Sequence, residues 1–285
     1  MSTPYAEVIG DPIAHSKSPL IHGFWLSKLG IDAEYRVCHL RREELADYFA
    51  KRRVDTNWRG CNVTIPHKVA VMSYVDDLAE SAKIVGAVNT VVRHDQLLNG
   101  ANTDLDGIKE AVQPVLHLDR SRYCVLVDLI GAGGASRAAM VALNQLGLSE
   151  VTVLARDEAK AAALSDELGL GSDYGFSAPL SALTERTNGQ SDYFAKLIIN
   201  ASPLGMKGYP PLDISLENLP SDTVVFDMVY SPLETPLLRE ARRRGMYTVD
   251  GLTMLIGQAA VAFELFFGQR APRQCDAELR ALLTA

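Results

Sequence analysis

Four short polar segments in the first third of the chain carry side chains suited to proton transfer and anion binding. His15-Ser16-Lys17-Ser18-Pro19 places two hydroxyls at i and i+2 ahead of a helix, and such a turn can offer two O–H groups to a carboxylate. Asn62-Val63-Thr64-Ile65-Pro66-His67-Lys68 projects Asn62, Thr64 and Lys68 from a strand end. Ala87-Val88-Asn89-Thr90 and Ala101-Asn102-Thr103-Asp104 follow. A lysine beside a carboxylate in a cleft makes a proton-transfer pair, and Lys68 and Asp104 are the residues that could form one. Each also has a plainer use. Ser18 can cap a helix whose first position is Pro19, Asp104 can cap the helix after it, and Lys68 can be a surface lysine. On residue types alone the plainer use ranks ahead for Lys68 and Asp104.

A second constellation lies near the middle. The apolar run Tyr123–Ile130 ends in Gly131-Ala132-Gly133-Gly134-Ala135-Ser136-Arg137, followed by a helical stretch over 138–146 and a second strand over 150–154. Strand, glycine-rich turn and helix form the context of a dinucleotide fingerprint. Gly131 permits the tight turn, and Gly133 lets backbone N–H groups approach a pyrophosphate at the helix N-terminus. Ser136 stands where the third glycine is usual and is still small. After the next strand comes Ala155-Arg156-Asp157. Arg156 can pair with a 2′-phosphate, which points to NADP, whereas Asp157 could accept an NAD ribose. Arg137 is a second candidate cation for the phosphates. Asp128 interrupts the apolar strand, and a buried carboxylate there requires a donor.

These residues are set among alternating strands and helices, which predict βαβ units and mostly parallel sheets. Strands are expected at 5–10, 33–40, 60–65, 196–200, 223–226 and 246–249, with a hairpin over 87–92 and 96–100. Helices are expected at 19–29, 43–51, 102–116, 159–168, 236–244, 252–267 and 276–283. The chain has 285 residues, 47% of them hydrophobic, enough for two domains with sizeable cores. The net charge of −7 disfavours nucleic acid and anionic membranes as partners, so an anionic ligand must be held by a local concentration of donors. Neither a signal peptide nor a membrane span is expected, and the four cysteines are widely spaced. A reduced, cytoplasmic protein without a metal follows as the expectation.

Taken together, the motifs resemble the shikimate dehydrogenase family nearly end to end. They run from Val8-Ile9-Gly10-Asp11-Pro12-Ile13 and HSKSP through NVTIPHK, GAVNT, NTD and GAGGASR. They continue with Asn200-Ala201-Ser202-Pro203-Leu204-Gly205-Met206, Asp227-Met228-Val229-Tyr230, and Asp250-Gly251-Leu252-Thr253-Met254-Leu255 to Gln258. The resemblance implies NADPH-dependent reduction of 3-dehydroshikimate to shikimate, a step in making aromatic amino acids, with NAD as a weaker alternative cofactor. It implies an α/β fold of two domains. One is a discontinuous substrate domain (1–106 plus 252–285), and the other a Rossmann-type, doubly wound NADP-binding domain (107–251).

By the same resemblance Ser16 and Ser18 would hold the substrate carboxylate with Tyr230 nearby, and Thr64, Asn89 and Gln258 would bond ring hydroxyls. Lys68 and Asp104 would form the catalytic pair, which reverses their ranking on residue types alone. The cofactor would meet Gly131, Ala132, Gly133, Gly134, Ala135, Arg137 and Arg156, with the peptides of Met228 and Gly251 beside the nicotinamide. The family pattern departs at Ala155 and Asp157, where Asn and Thr are frequent. Rival expectations are a quinate or aminoshikimate paralogue and, in another class, a non-catalytic dinucleotide sensor. A monomer or a homodimer is compatible with the sequence.

Overall fold

Strand β1 (Tyr5–Gly10) is buried along its whole length and forms the spine of the first sheet. The computed structural model describes residues 3–117, 124–168, 176–179, 194–217 and 219–285. Helix α1 (Ser18–Leu29) follows β1 and stops at Gly30, whose φ of 63° is the left-handed conformation that ends helices. β2 (Glu34–His39) runs parallel to β1 as an edge strand. α2 (Leu45–Val54) leads to β3 (Trp58–Val63), parallel on the other side of β1. After β4 (Asp77–Leu78) and α3 (Glu80–Val85) comes an antiparallel hairpin of β5 (Thr90–His94) and β6 (Leu97–Ala101). Asp95 turns that hairpin at φ 56°, a conformation Asp tolerates better than most side chains. The resulting order is β2-β1-β3-β5-β6-β4.

The second sheet is wholly parallel among the described residues. It comprises β7 (Cys124–Ile130), β8 (Val151–Ala155), β9 (Phe176–Pro179), β10 (Phe194–Asn200), β11 (Val224–Asp227) and β12 (Tyr247–Asp250), in the order β12-β11-β10-β7-β8-β9. Counted by appearance within this sheet, the order is 6-5-4-1-2-3, the doubly wound nucleotide-binding arrangement whose switch point lies between β7 and β10. The described helices of the region are α4 (Asp104–Val112), α5 (Gly134–Gln145), α6 (Glu158–Glu167) and α7 (Pro236–Arg243). α8 (Gly251–Phe267) and α9 (Asp276–Thr284) complete the chain.

The chain divides into two compact units, Met1–Asp104 with Ile256–Ala285, and Leu105–Leu255. In the first, one side of the sheet packs Leu45, Tyr48, Phe49, Trp58 and Leu98 around Ile9. Another cluster joins Ala6 of β1 to Ala262 and Phe266 of α8, so a segment from the far end of the sequence finishes the core begun by the first strand. In the second, Ile130, Leu154, Ile198 and Val225 meet Leu237, Leu238 and Ala241 of α7. No described helix is long and apolar enough to cross a membrane.

Several expectations change. Helix α5 starts at Gly134, directly off the glycine turn, four residues before the predicted Ala138. The turn over 134–137 is helical despite the low propensity of glycine because it leads directly into the buried stretch Ala138 to Leu143. The helix expected over 102–116 is shorter, Asp104–Val112, followed by a 3₁₀ turn at Val115–His117. β4 and α3 were not anticipated, since both are short and α3 has no side-chain cap that would signal it. Tyr123, the expected first residue of β7, lies outside the described residues.

Asp128 finds its donor across the sheet. It pairs in register with Ile198 of β10, two residues beyond Lys196, so both side chains lie on one face. Lys196 Nζ is 2.8 Å from Asp128 Oδ2, with side chains 7% and 3% exposed.

Candidate active site

Lys68 Nζ lies 2.5 Å from Asp104 Oδ2, the pair being 15% and 5% exposed. Its position follows from the turn after β3. Thr64 N–H donates to Ile9 O, His67 N–H to Thr64 O, and Val88 N–H to Lys68 O, which ties both ends of the NVTIPHK segment to the sheet. Buried His67 fixes the middle through a 2.6 Å contact between Nε2 and Leu40 O.

Asp104 is the first residue of α4, and its N–H donates to Asn102 Oδ1. Asn102 therefore serves the helix start, and the Asp104 carboxylate is left for Lys68, contrary to its plainer use as a cap. Its second oxygen, Oδ1, accepts from Asn89 Nδ2 at 2.9 Å. Asn89 Nδ2 also donates to Thr103 Oγ1 at 3.0 Å and to Gln258 Oε1 at 3.4 Å. Gln258 reaches this point from α8, and Thr103 Oγ1 also contacts its Oε1 at 3.3 Å. Lys68, Asp104, Asn89 and Gln258, which span 190 positions of sequence, thus form one cluster with a fixed ion pair at its centre.

The Ser16–Ser18 turn departs from the predicted cap. Ser18 is the first residue of α1 and buried, Lys17 occupies the cap position, and Ser18 N–H donates to Ser16 Oγ at 3.3 Å. The capping oxygen is that of Ser16 because the chain enters the helix one residue earlier than Pro19 suggests. Tyr35 donates to Asn62 Oδ1 at 2.6 Å, and Asn62 Nδ2 donates to Thr90 Oγ1 at 3.1 Å. Tyr35, Thr90 and Thr103 were not anticipated as site residues. Each is an ordinary strand or turn residue in the sequence, and only the sheet order brings them beside Asn62 and Asn89.

In the second unit Gly131 has φ 116°, and a side chain there would fall 3.0 Å from Ser136 Oγ and 3.2 Å from the Ala201 carbonyl carbon. Glycine is required, and Ser136, fully buried, is about as large as the turn admits. Gly133 is the cap residue of α5, and a Cβ there would meet nothing within 4 Å. The turn Gly131–Ala135 therefore presents an open backbone cradle and a helix N-terminus at the switch point. Arg156 is exposed and has no ion-pair partner among the described residues. Asp157 caps α6 through Lys160 N–H at 3.2 Å and pairs with Lys160 Nζ at 3.3 Å, which lowers its pKa. Its carboxylate is committed to its own helix, so the sign of charge offered beside β8 is that of Arg156. Arg137 instead forms a two-pronged pair with Glu167 of α6, at 2.5 and 2.8 Å.

The ends of β10 and β11 are joined through Asp227. It accepts from Asn200 Nδ2 at 2.9 Å, Val229 N–H at 3.0 Å and Thr235 Oγ1 at 2.6 Å. Burial nevertheless raises its pKa. This cluster holds the Met228–Tyr230 segment. A Cβ on Gly251 would lie 2.4 Å from Met228 O, so Met228 and Gly251 meet backbone to backbone and only glycine fits. Burial raises the pKa of the Tyr230 phenol.

A doubly wound parallel sheet with an open glycine cradle, in a chain that also carries a buried Lys–Asp pair, defines an α/β protein of the nucleotide-dependent oxidoreductase type. The shikimate dehydrogenase substrate binding domain matches residues 8–91, and the shikimate 5′-dehydrogenase C-terminal domain matches residues 251–278. A shikimate dehydrogenase (NADP(+)) of Sphingopyxis alaskensis is 50% identical over 285 residues, covering 100% of this chain and 98% of that protein. One from Methylobacterium radiotolerans is 42% identical over 293 residues, covering 100% of this chain and 98% of its own. The crystal structure of shikimate 5-dehydrogenase from Thermus thermophilus in complex with NADP(H) and shikimate is 32% identical. It matches with a TM-score of 0.80 and covers 99% of this chain and 100% of that one. The chain belongs to the shikimate dehydrogenase family.

Proposed function

We propose that this protein reduces 3-dehydroshikimate to shikimate with NADPH, and that the Lys68–Asp104 pair carries the proton transfer. The observation behind this assignment is the 2.5 Å ion pair whose carboxylate is held from its other side by Asn89. The chemistry a bound NADPH supplies is a hydride to the carbonyl carbon. Lys68 Nζ, as an ammonium, gives the proton that the developing alkoxide oxygen requires, and Asp104 keeps that ammonium aimed and accepts from the same hydroxyl. Thr64, Asn89 and Gln258 bond ring hydroxyls, while Ser16 and Ser18 hold the substrate carboxylate. The first unit binds substrate and the second binds the cofactor.

The residues present suit NADPH. Backbone N–H groups of Gly131–Ala135 at the start of α5 face a pyrophosphate, Arg156 takes the 2′-phosphate, and the Met228 and Gly251 peptides border the nicotinamide. Arg137 assists with the phosphates only by exchanging its Glu167 partner. A cytoplasmic site of action, in a monomer or homodimer, fits three described cysteines that are free thiols. The intact Lys68–Asp104 pair disfavours the sensor alternative, which has no use for it.

The test is NADPH oxidation followed at its nicotinamide absorbance with 3-dehydroshikimate, and the reverse reaction with shikimate. Absence of turnover in both directions sinks the assignment. Lys68→Ala is expected to lower kcat by about 10²- to 10⁴-fold with KM little changed, the usual size of a general-acid contribution.

A further inference from the structure

We propose that Tyr35 is a positioning residue for this reaction, acting through Asn62 and Thr90 to fix the orientation of the Asn89 amide against Asp104. The proposal rests on the assignment of Asp104 and Lys68 above, although its central geometry does not. Tyr35 sits on the edge strand β2 and touches neither Lys68 nor Asp104 by any hydrogen bond among the described residues.

The case is one of donor and acceptor counting. A backbone N–H can only donate, and Thr103 N–H meets Asn89 Oδ1 at 2.7 Å. That contact identifies the oxygen end of Asn89 and turns Nδ2 toward Asp104 Oδ1. The same Asn89 oxygen receives the Thr90 hydroxyl at 2.9 Å. Having given its single proton there, Thr90 Oγ1 can only accept, and it does so from Asn62 Nδ2 at 3.1 Å. The oxygen end of Asn62 must then face the remaining neighbour and receive a proton from it, which Tyr35 O–H supplies at 2.6 Å. In this arrangement each link has a defined polarity, and Thr103 Oγ1 joins the same junction at 3.3 Å from both Thr90 Oγ1 and Asn89 Oδ1. A backbone N–H closes the chain at one end, and a phenol closes it at the other.

Tyr35 is held for this task. Its ring stacks on His22 with centroids 4.0 Å apart and planes 4° from parallel, and Phe266 borders it at 6.4 Å. Burial holds its phenol pKa well above the usual value, so it remains a donor. Asn62, Asn89, Thr90 and Thr103 are all buried and cannot recruit bulk water to replace a lost partner. Removing the Tyr35 proton leaves Asn62 free to turn its oxygen toward Thr90. The Thr90 hydroxyl is then drawn away from Asn89, and the amide opposite Asp104 loses one of the donors that define it.

A double-mutant cycle of Tyr35→Phe and Thr90→Val separates this from a packing role. Each single variant is expected to lower kcat for 3-dehydroshikimate reduction about fivefold, the worth of one ordinary hydrogen bond, with KM for NADPH unchanged. The double variant should be no worse than either single, because both cut the same chain. Multiplied losses, a loss confined to KM, or full activity in Tyr35→Phe would each overturn the proposal. Should Tyr35→Phe not fold, Asn62→Leu against Thr90→Val supplies the same cycle. In ¹H–¹⁵N spectra the Asn89 side-chain amide should shift alike in the single variants, and an unmoved Asn89 resonance would overturn the relay. That signal needs no turnover. A wild-type protein inactive on 3-dehydroshikimate would remove the functional assignment while leaving the relay to be decided by the spectra.

Discussion

Replacement of His22 by Phe should remove one acid-side loss of the protein's stability. His22 is fully buried in an aromatic nest of Tyr35, Trp25, Phe263 and Phe266, and neither ring nitrogen has a hydrogen-bond partner among the described residues. Burial pushes its pKa down from 6.5 to about 3, so the folded protein keeps it neutral where an unfolded chain would protonate it. Between those two values the unfolded state binds the extra proton. The stability linked to neutral His22 is therefore complete above the unfolded value and is lost progressively as pH falls toward the folded one. At about pH 5 an unfolded histidine of ordinary pKa gains about 2 kcal/mol from protonation, and at about pH 7.5 it gains almost nothing.

The wild-type minus His22→Phe difference in unfolding free energy should therefore move by about 2 kcal/mol between those two pH values, against the wild type in acid. Phe keeps a flat ring for Tyr35 and needs no partner. Urea unfolding followed by tryptophan fluorescence is a suitable assay, because the protein's two tryptophans, Trp25 and Trp58, are buried in the first unit and report on it alone. A difference that stays constant with pH to within about 0.5 kcal/mol would refute the reasoning, since that is near the error of the extrapolation.

Two other perturbations probe the second unit. Lys196→Met should destabilise it by about 3–5 kcal/mol by stranding Asp128 without its ammonium, whereas Asp128→Val with Lys196→Leu should restore stability to within about 1–2 kcal/mol of wild type. Scanning calorimetry distinguishes the two outcomes, and equal losses would refute the pairing. Arg156→Ala should weaken binding of adenosine 2′,5′-bisphosphate by about 10- to 100-fold and leave 5′-AMP unaffected, as titration calorimetry would show.

The features legible in the sequence were those written in contiguous residues. The glycine turn after β7, the Arg156 position and the alternation of strands and helices depend on neighbours within about twenty positions. Less legible were features that need two distant segments at once. Asp128 appeared as an anomaly because its counter-ion, Lys196, lies on a strand 68 positions later and is paired only by sheet register. Arg137 looked available for phosphate because Glu167 is thirty residues away on the next helix. Asn62 and Thr90 were visible as polar strand-end residues, yet their link to Tyr35 requires β2, β1, β3 and β5 to lie in that order. Short α3 and β4 escaped notice because six and two residues carry too little periodicity to identify.

The return of residues 256–285 to the first unit also sets a schedule for biosynthesis. Ala6 leaves the ribosome well before its packing partners Ala262 and Phe266, which follow only after the whole second unit has been made. At about 5–20 residues per second, roughly ten seconds or more separate the two events. During that interval one side of β1 lacks its cover while the inserted unit, whose strands are all in hand, is free to fold first. The nascent chain thus completes its second unit before its first, and its dependence on chaperones should be greatest for the segment translated earliest.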